Sequence, residues 1–286
     1  MDLSVVLAAR NEEEHLQEQL DALQAQDFAG DWELIVVDNG STDSTAAMVE
    51  GQADADSRVR LVGANERPCK SYALNVGVAA AQADKIAFCD GDDVVTPGWL
   101  SSIASGLETY DVVTGPHELD RLNPPWLADS RGRSIEVESV GSFFGIFPTV
   151  RGASWGVSRE AWKSLGGMNE DYHALEDLEF SYRCWRAGIE IGGLPAAVIH
   201  YRYRRSPRDL WRQGFTYGLY RPRIARIVNQ SGDARVPRFA GWKSWVNLAI
   251  GLPTLLRSEG RAAWLWIAAN RVGQLVGSVR ERTIVL

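Results

Sequence analysis

The stretch Lys85-Ile-Ala-Phe-Cys-Asp90-Gly-Asp92-Asp93 decides how the chain is read. Its apolar run, Ile86 to Cys89, is short enough for a strand buried on both faces, and it ends in three carboxylates within four positions. A parallel strand of this kind delivers its last residues to the carboxyl edge of a sheet, where open α/β sheets bind ligands. Oxygen-only ligands so placed suit a hard divalent cation, Mg²⁺ or Mn²⁺, that bridges phosphates. A solvated acidic turn is the alternative on this motif alone.

The residues before it repeat one pattern. Leu3 to Ala9, Glu33 to Asp38 and Arg58 to Gly63 read as strands, and helical stretches follow each. Asn11 is expected to cap the first helix with Glu14 as its partner, and Leu16, Leu20 and Leu23 form its inward stripe. Asn39-Gly-Ser-Thr-Asp43 is turn chemistry before a helix from about residue 44 to 54, and a further helix spans 70–81. Strand–helix alternation over about 95 residues predicts an α/β fold with a doubly wound, mixed but mostly parallel sheet. Ala8-Ala-Arg-Asn-Glu12 stands where a dinucleotide-binding chain has G-x-G-x-x-G, which argues against a dehydrogenase.

Downstream, Thr96 and Pro97 open a helix to Leu107, and residues 111–115 form a strand. Residues 116–150 lose periodicity and read as loops over a site. Glu176 and Asp177 start a helix whose apolar side is expected to hold Leu178, Tyr182 and Trp185. Acidic residues at a helix start also favour the dipole without any catalytic role. His200 ends a last short strand, and Ser206-Pro207-Arg-Asp209 opens a long helix. The expected organisation is a catalytic domain over 1–205, halved near 115, and a basic, tryptophan-rich helical extension over 206–286.

Composition narrows the setting. Three scattered cysteines make neither a disulfide framework nor a zinc site, and a reduced, cytoplasmic location is expected, with no signal peptide. The net charge of −7 hides an asymmetry: residues 200–286 hold 16 of the 30 Lys and Arg but 4 of the 37 Asp and Glu. An anionic partner for the tail is one reading, and packing against the acidic body is the other. Nucleic acid is not expected. One tail face carries Trp242, Trp245, Val246, Ala249 and Leu252. A second carries Trp264, Leu265, Ala268, Val272, Leu275, Val276 and Val279, opposite Asn270, Gln274 and Ser278. The longer segment contains Arg271 and two amides, so a span is not expected; an interfacial helix, peripheral on the inner membrane face, is one reading, and a helix covering a flank of the protein's own sheet is the other.

Seven pieces then fall in one order: Val5-Val-Leu-Ala-Ala-Arg-Asn-Glu12, Ile35-Val-Val-Asp38-Asn-Gly-Ser-Thr-Asp43, Ala73-Leu-Asn75-Val-Gly77, Asp90-Gly-Asp92-Asp93, Gly166-Gly-Met-Asn-Glu170, Glu176-Asp177 and His200-Tyr-Arg202. Over roughly residues 3–220 the chain resembles the family 2 glycosyltransferases of the GT-A fold. It departs from them at Ala8 and Ala9, where proline and an aromatic are common, and at Leu74, where arginine is common.

The resemblance implies metal-dependent, inverting transfer of a sugar from a nucleotide-diphospho-sugar, with UDP the commonest donor nucleotide, to a saccharide or lipid-linked acceptor. It implies that Ala8, Arg10, Glu12, Asp38, Asn75, Asp90 and Gly91 line the donor site. Asp92, Asp90 and His200 would hold Mn²⁺ or Mg²⁺, and Asp177 with Glu176 would supply the general base. The rival readings are a sugar nucleotidyltransferase and a non-catalytic nucleotide-binding scaffold.

Overall fold

The computed structural model describes residues 1–131, 140–239 and 241–285. Twelve strands occur among them: β1 Leu3–Ala9, β2 Trp32–Asp38, β3 Val59–Gly63, β4 Lys85–Asp90, β5 Val94–Val95, β6 Val112–Thr114, β7 His117–Glu118, β8 Gly141–Phe143, β9 Phe147–Thr149, β10 Ser154–Ser158, β11 Ile191–Gly193 and β12 Ile199–His200. The helices are α1 Leu16–Gln24, α2 Thr45–Ala55, α3 Lys70–Ala80, α4 Trp99–Gly106, α5 Pro125–Ala128, α6 Arg159–Leu165, α7 Glu176–Ala187, α8 Pro207–Ser231, α9 Trp242–Ile250 and α10 Ser258–Arg280.

Backbone contacts divide the chain into two compact units, the first built mainly from Met1–Glu118 and Pro148–Arg202 and the second mainly from Tyr203–Leu286. Part of the 116–150 segment, including Ser142–Phe147, clusters with the second unit. Residues 132–139 of that segment lie outside the described residues.

The first unit is organised by a seven-stranded sheet in the order β11-β6-β10-β4-β1-β2-β3. Only β10 runs antiparallel, between β4 and β6. The α/β reading from sequence therefore holds. Alternation along β1 sends Leu3, Val5 and Leu7 into one core and Val6 into the other, so both faces of the sheet are buried. Trp155 lies in the second core, stacked on Phe88 at 4.2 Å between ring centroids. On α3, Gly77 lets the helix lie directly on the sheet, because a Cβ there would drive into Val6.

Register sets the functional edge. Ala8 pairs with Asp90 on one side, and Ala9 pairs with Asp38 on the other. Two carboxylates thus flank the end of β1. The loops beyond are tied together by Asn11, which does not cap α1: it sits in the left-handed region (φ 56°), and its Oδ1 accepts the Thr42 N–H at 2.8 Å. The cap expectation fails because α1 starts only at Leu16, and Asn11 serves a loop 31 residues away. Similarly α4 begins at Trp99 behind Gly98 in the left-handed region, not at a Thr96 cap.

In the second unit, Ser206 caps α8 as expected, accepting the Asp209 N–H at 3.1 Å. Helices α8 and α10 pack backbone to backbone. A Cβ on Gly218 would run into the Asn270 carbonyl, and one on Gly277 into the Leu219 carbonyl. The two faces expected from the pattern of α10 are present, but the polar one is inside. Asn270, Arg271, Gln274 and Ser278 are buried, whereas Val272, Leu275 and Val279 are exposed. On α9, Trp242, Val246 and Ile250 are also exposed. Among the described residues no helix is long and apolar enough to cross a membrane.

Candidate active site

Asp90 ends β4, and the tight passage through Gly91 into β5 brings Asp92 and Asp93 back beside it. Carboxylate oxygens of Asp90, Asp92 and Asp93 all lie within 4.8 Å of one another. Asp93 is buried (1% exposed); its Oδ1 accepts the Arg202 N–H at 2.7 Å, and its Oδ2 is sealed from solvent without a partner. Burial, then the neighbouring carboxylates of Asp92 and Asp90, pushes the Asp93 carboxyl well above the usual range. Three crowded carboxylates with an unmet buried oxygen suit a divalent cation, so the donor set fits Mn²⁺ or Mg²⁺. Arg202 braces the loop from outside, donating from Nε to the Asp92 carbonyl at 2.8 Å and from Nη2 to Glu18 at 2.6 Å.

The second acidic pair comes to the same place. Helix α7 opens with Leu175 in the left-handed region (φ 58°), which turns the chain so that Glu176 and Asp177 lead the helix. Its buried face holds Phe180, Ser181 and Cys184. The face expected through Leu178, Tyr182 and Trp185 is only half-buried, because the strand side of α7 is met by the aromatic core around Trp155 and Trp162. Asp177 Oδ1 accepts the Leu178 N–H at 2.9 Å, and Gly152 leaves its other oxygen room, since a Cβ there would stand 2.9 Å from Oδ2.

Lys70 joins the two clusters. From the first position of α3 its Nζ lies 2.5 Å from Asp90 Oδ1 and 3.8 Å from Glu176 Oε1. Burial opposes its charge, yet Asp90, Glu176 and Asp177 hold the ammonium above the ordinary lysine range. Burial and the adjacent Glu176 push the Asp177 carboxyl up to about 7, with Lys70 pulling against them. A carboxylate poised near neutrality inside a site is what proton abstraction requires.

The other expected positions are spread around this centre. Asp38 is nearly buried and accepts the Ser41 N–H at 3.1 Å. Arg10 is exposed, and the Glu12 N–H donates to Thr45 Oγ1 at 2.8 Å. Asn75 clamps the Gly166–Glu170 turn, donating to the Met168 carbonyl and to Glu170 Oε1, each at 3.0 Å, and accepting the Met168 N–H at 2.8 Å. His200 pairs through Nδ1 with Glu118 Oε2 at 2.5 Å and stands outside the three-carboxylate group.

Two residues were not singled out from sequence. Lys70 had a usable signal, since a cation at the first position of a helix opposes the dipole and calls for compensating carboxylates. His117 had none. It is buried, stacked on Tyr201 with ring centroids 4.6 Å apart, and pushed down to about 3 by burial and the charges of Arg151 and Lys70.

The profile of the family described as "Glycosyl transferase family 2" matches residues 4–165. The chain belongs to glycosyl transferase family 2. A second profile, "Glycosyl transferase family group 2", matches residues 85–270. Among relatives, glycosyltransferase AglD of Haloferax volcanii is 28% identical over 207 residues, covering 68% of this chain and 32% of AglD. The chain spans about a third of the length of the first curated relatives it matches.

Among solved structures, a Pyrobaculum calidifontis mannosyltransferase in complex with GDP-Man and Mn²⁺ superposes with a TM-score of 0.63 at 19% identity, covering 96% of this chain and 87% of the other. Glucosyl-3-phosphoglycerate synthase of Mycobacterium tuberculosis, with Mn²⁺, UDP and glucosyl-3-phosphoglycerate, gives 0.54 at 25% identity, covering 80% of each chain. The fold is thus the GT-A fold of these enzymes.

Proposed function

We propose that the protein transfers a sugar from a nucleotide-diphospho-sugar, with a UDP-sugar expected, to an acceptor hydroxyl with inversion at the anomeric carbon. The observation that carries this is the Lys70 bridge, with its ammonium in reach of both the Asp90 and the Glu176 carboxylates. It supports a single site in which donor phosphates and acceptor hydroxyl meet. Asp90, Asp92 and Asp93 would hold the divalent cation, which when bound neutralises charge developing on the departing diphosphate. Asp38 accepts a hydrogen bond from the base, and Arg10, Glu12 and the Ala8–Ala9 backbone line the same end. Asp177 takes the acceptor proton as attack proceeds, and Glu176 holds Lys70 beside it. Asn75 acts by fixing the turn at 166–170.

Incubation with UDP-, GDP- and dTDP-sugars, Mn²⁺ and saccharide or polyprenyl-phosphate-linked acceptors tests the reading. Release of nucleoside diphosphate supports it. Release of pyrophosphate from a nucleoside triphosphate and a sugar 1-phosphate would establish the nucleotidyltransferase, and binding without turnover across the acceptor panel would favour a scaffold.

The same reading places the protein peripherally on the cytoplasmic face of an anionic membrane. Support comes from the apolar side chains that α9 and α10 turn outward, Trp242, Val246, Ile250, Val272 and Val279, within a basic segment. Flotation of the full chain with phosphatidylglycerol vesicles is expected, and its absence at low salt would exclude membrane attachment.

A further inference from the structure

The second unit buries the positive charge of Arg271, and no carboxylate among the described residues meets it. On α10, Arg271 is 8% exposed and Gln274 is 1% exposed. Arg271 Nε and Nη1 and both amide atoms of Gln274 are sealed from solvent without a hydrogen-bond partner. The only hydrogen bond the Arg271 side chain makes among the described residues is a long one, 3.4 Å from Nη2 to Asn270 Oδ1. On α8, Arg221 Nε is likewise sealed and unpartnered, and the guanidinium lies 5.9 Å from the centroid of the Phe144 ring.

The helix contact brings these side chains to one stretch. Gly218, three residues before Arg221, rests on the backbone at Asn270 and Gln274, and Pro222, just after it, packs against Gly277. Among the described residues no carboxylate pairs with either arginine, and nearby Glu281 is engaged by Arg226 at 2.8 Å. Burial and the charge of Arg271 pull Arg221 down to about 10, and burial lowers Arg271 as well.

Unmet donors and like charges held together in apolar surroundings destabilise a fold unless something compensates them. Water could serve the amide of Gln274 but would leave both charges uncompensated. An oxyanion answers all of it, because guanidinium forks match phosphate oxygens two at a time. We propose that Arg221, Arg271 and Gln274, the first half-buried and the other two buried, form a receptor for an oxyanion of the phosphate-monoester class. The two arginines take the phosphoryl oxygens. Gln274 Nε2 donates to a third oxygen, and its Oε1 accepts the P–OH of the singly protonated phosphate. A soluble phosphate ester and the headgroup of phosphatidic acid present the same chemistry. The site is built from α8 and α10 alone and requires nothing of the sugar-transfer reading.

The test is thermal unfolding of the full chain at matched ionic strength, in chloride against inorganic phosphate and glycerol 3-phosphate. Flotation with phosphatidylcholine vesicles, plain or carrying phosphatidic acid or phosphatidylglycerol at equal surface charge, runs beside it. The melting temperature is expected to rise by roughly 5 °C at about a hundredfold excess over Kd. A rise with the soluble esters identifies a dissolved ligand, and attachment to phosphatidic acid vesicles beyond that to phosphatidylglycerol vesicles of equal surface charge identifies the headgroup. Arg271→Met is expected to abolish the response and to raise the melting temperature of the unliganded protein, since an unpaired buried charge has gone. Gln274→Leu, which keeps both charges, is expected to weaken binding at least tenfold. No response in either arm, or a response that persists in both variants, overturns the proposal.

Discussion

The sharpest prediction concerns the ionisation of Asp177. Burial and Glu176 bring this carboxyl to about 7, so at pH 6 only about 10% is ionised and at pH 8 about 90%. A general base must be ionised in the free enzyme, so kcat/KM is expected to rise about tenfold between those pH values, with the acid limb centred near 7. Asp177→Asn is expected to remove roughly 10²–10⁴-fold in kcat, leave donor affinity nearly unchanged and flatten the limb. Lys70→Met withdraws the positive charge opposing the shift, so the limb moves to higher pH.

The same pKa has a stability counterpart. A carboxyl raised above its unfolded value favours the folded chain below about pH 4, and that contribution is lost as pH rises through about 7. Asp177→Asn is therefore expected to melt higher than the parent at pH 8. The assay is nucleoside diphosphate release at saturating Mn²⁺ from pH 5 to 9. An acid limb near 4, or an Asp177→Asn variant that keeps about a tenth of the activity, would refute the assignment.

Other perturbations test other parts. Asp92→Ala and Asp93→Asn are expected to weaken Mn²⁺-dependent donor binding by at least tenfold while leaving metal-free nucleotide affinity unchanged; calorimetric titration at matched metal concentration decides. Gly218→Ala pushes a methyl into the Asn270 carbonyl and is expected to cost about 1–3 kcal/mol, read by urea unfolding. Glu33 accepts from Ser4 Oγ and the Gln82 N–H at 2.7 Å each and from Arg60 Nη2 at 2.5 Å, so Glu33→Ala strands three donors and is expected to cost about 2–4 kcal/mol in the same measurement.

Much of the sheet was legible because its strands are buried on both faces and read as unbroken apolar runs, as at Leu34 to Val37. The acidic strand ends were legible for the same reason, since a carboxylate directly after such a run has few other places to go. Asn11 misled because its capping-box spacing is local, whereas its real partners, Ser41 and Thr42, are brought to it only by the pairing of β1 with β2. The apolar side of α7 misled because Phe180 and Cys184 answer to the Trp155 cluster across the fold. Periodicity identified both faces of α10 but carried no sign, and glycines at 214, 218, 273 and 277 turned the polar face inward by letting the two backbones touch. Lys70 could have been found by asking what compensates a cation at a helix start.

The central claim is that the cation-holding carboxylates and Asp177 serve one bound donor. Anomalous diffraction at the manganese edge, from crystals grown with Mn²⁺ and a non-transferable donor analogue, tests it directly. The account predicts a manganese peak at Asp90, Asp92 and Asp93, the diphosphate bound to it, and the anomeric carbon turned toward Asp177. A peak at other ligands, or an analogue whose sugar points away from Asp177, would contradict it.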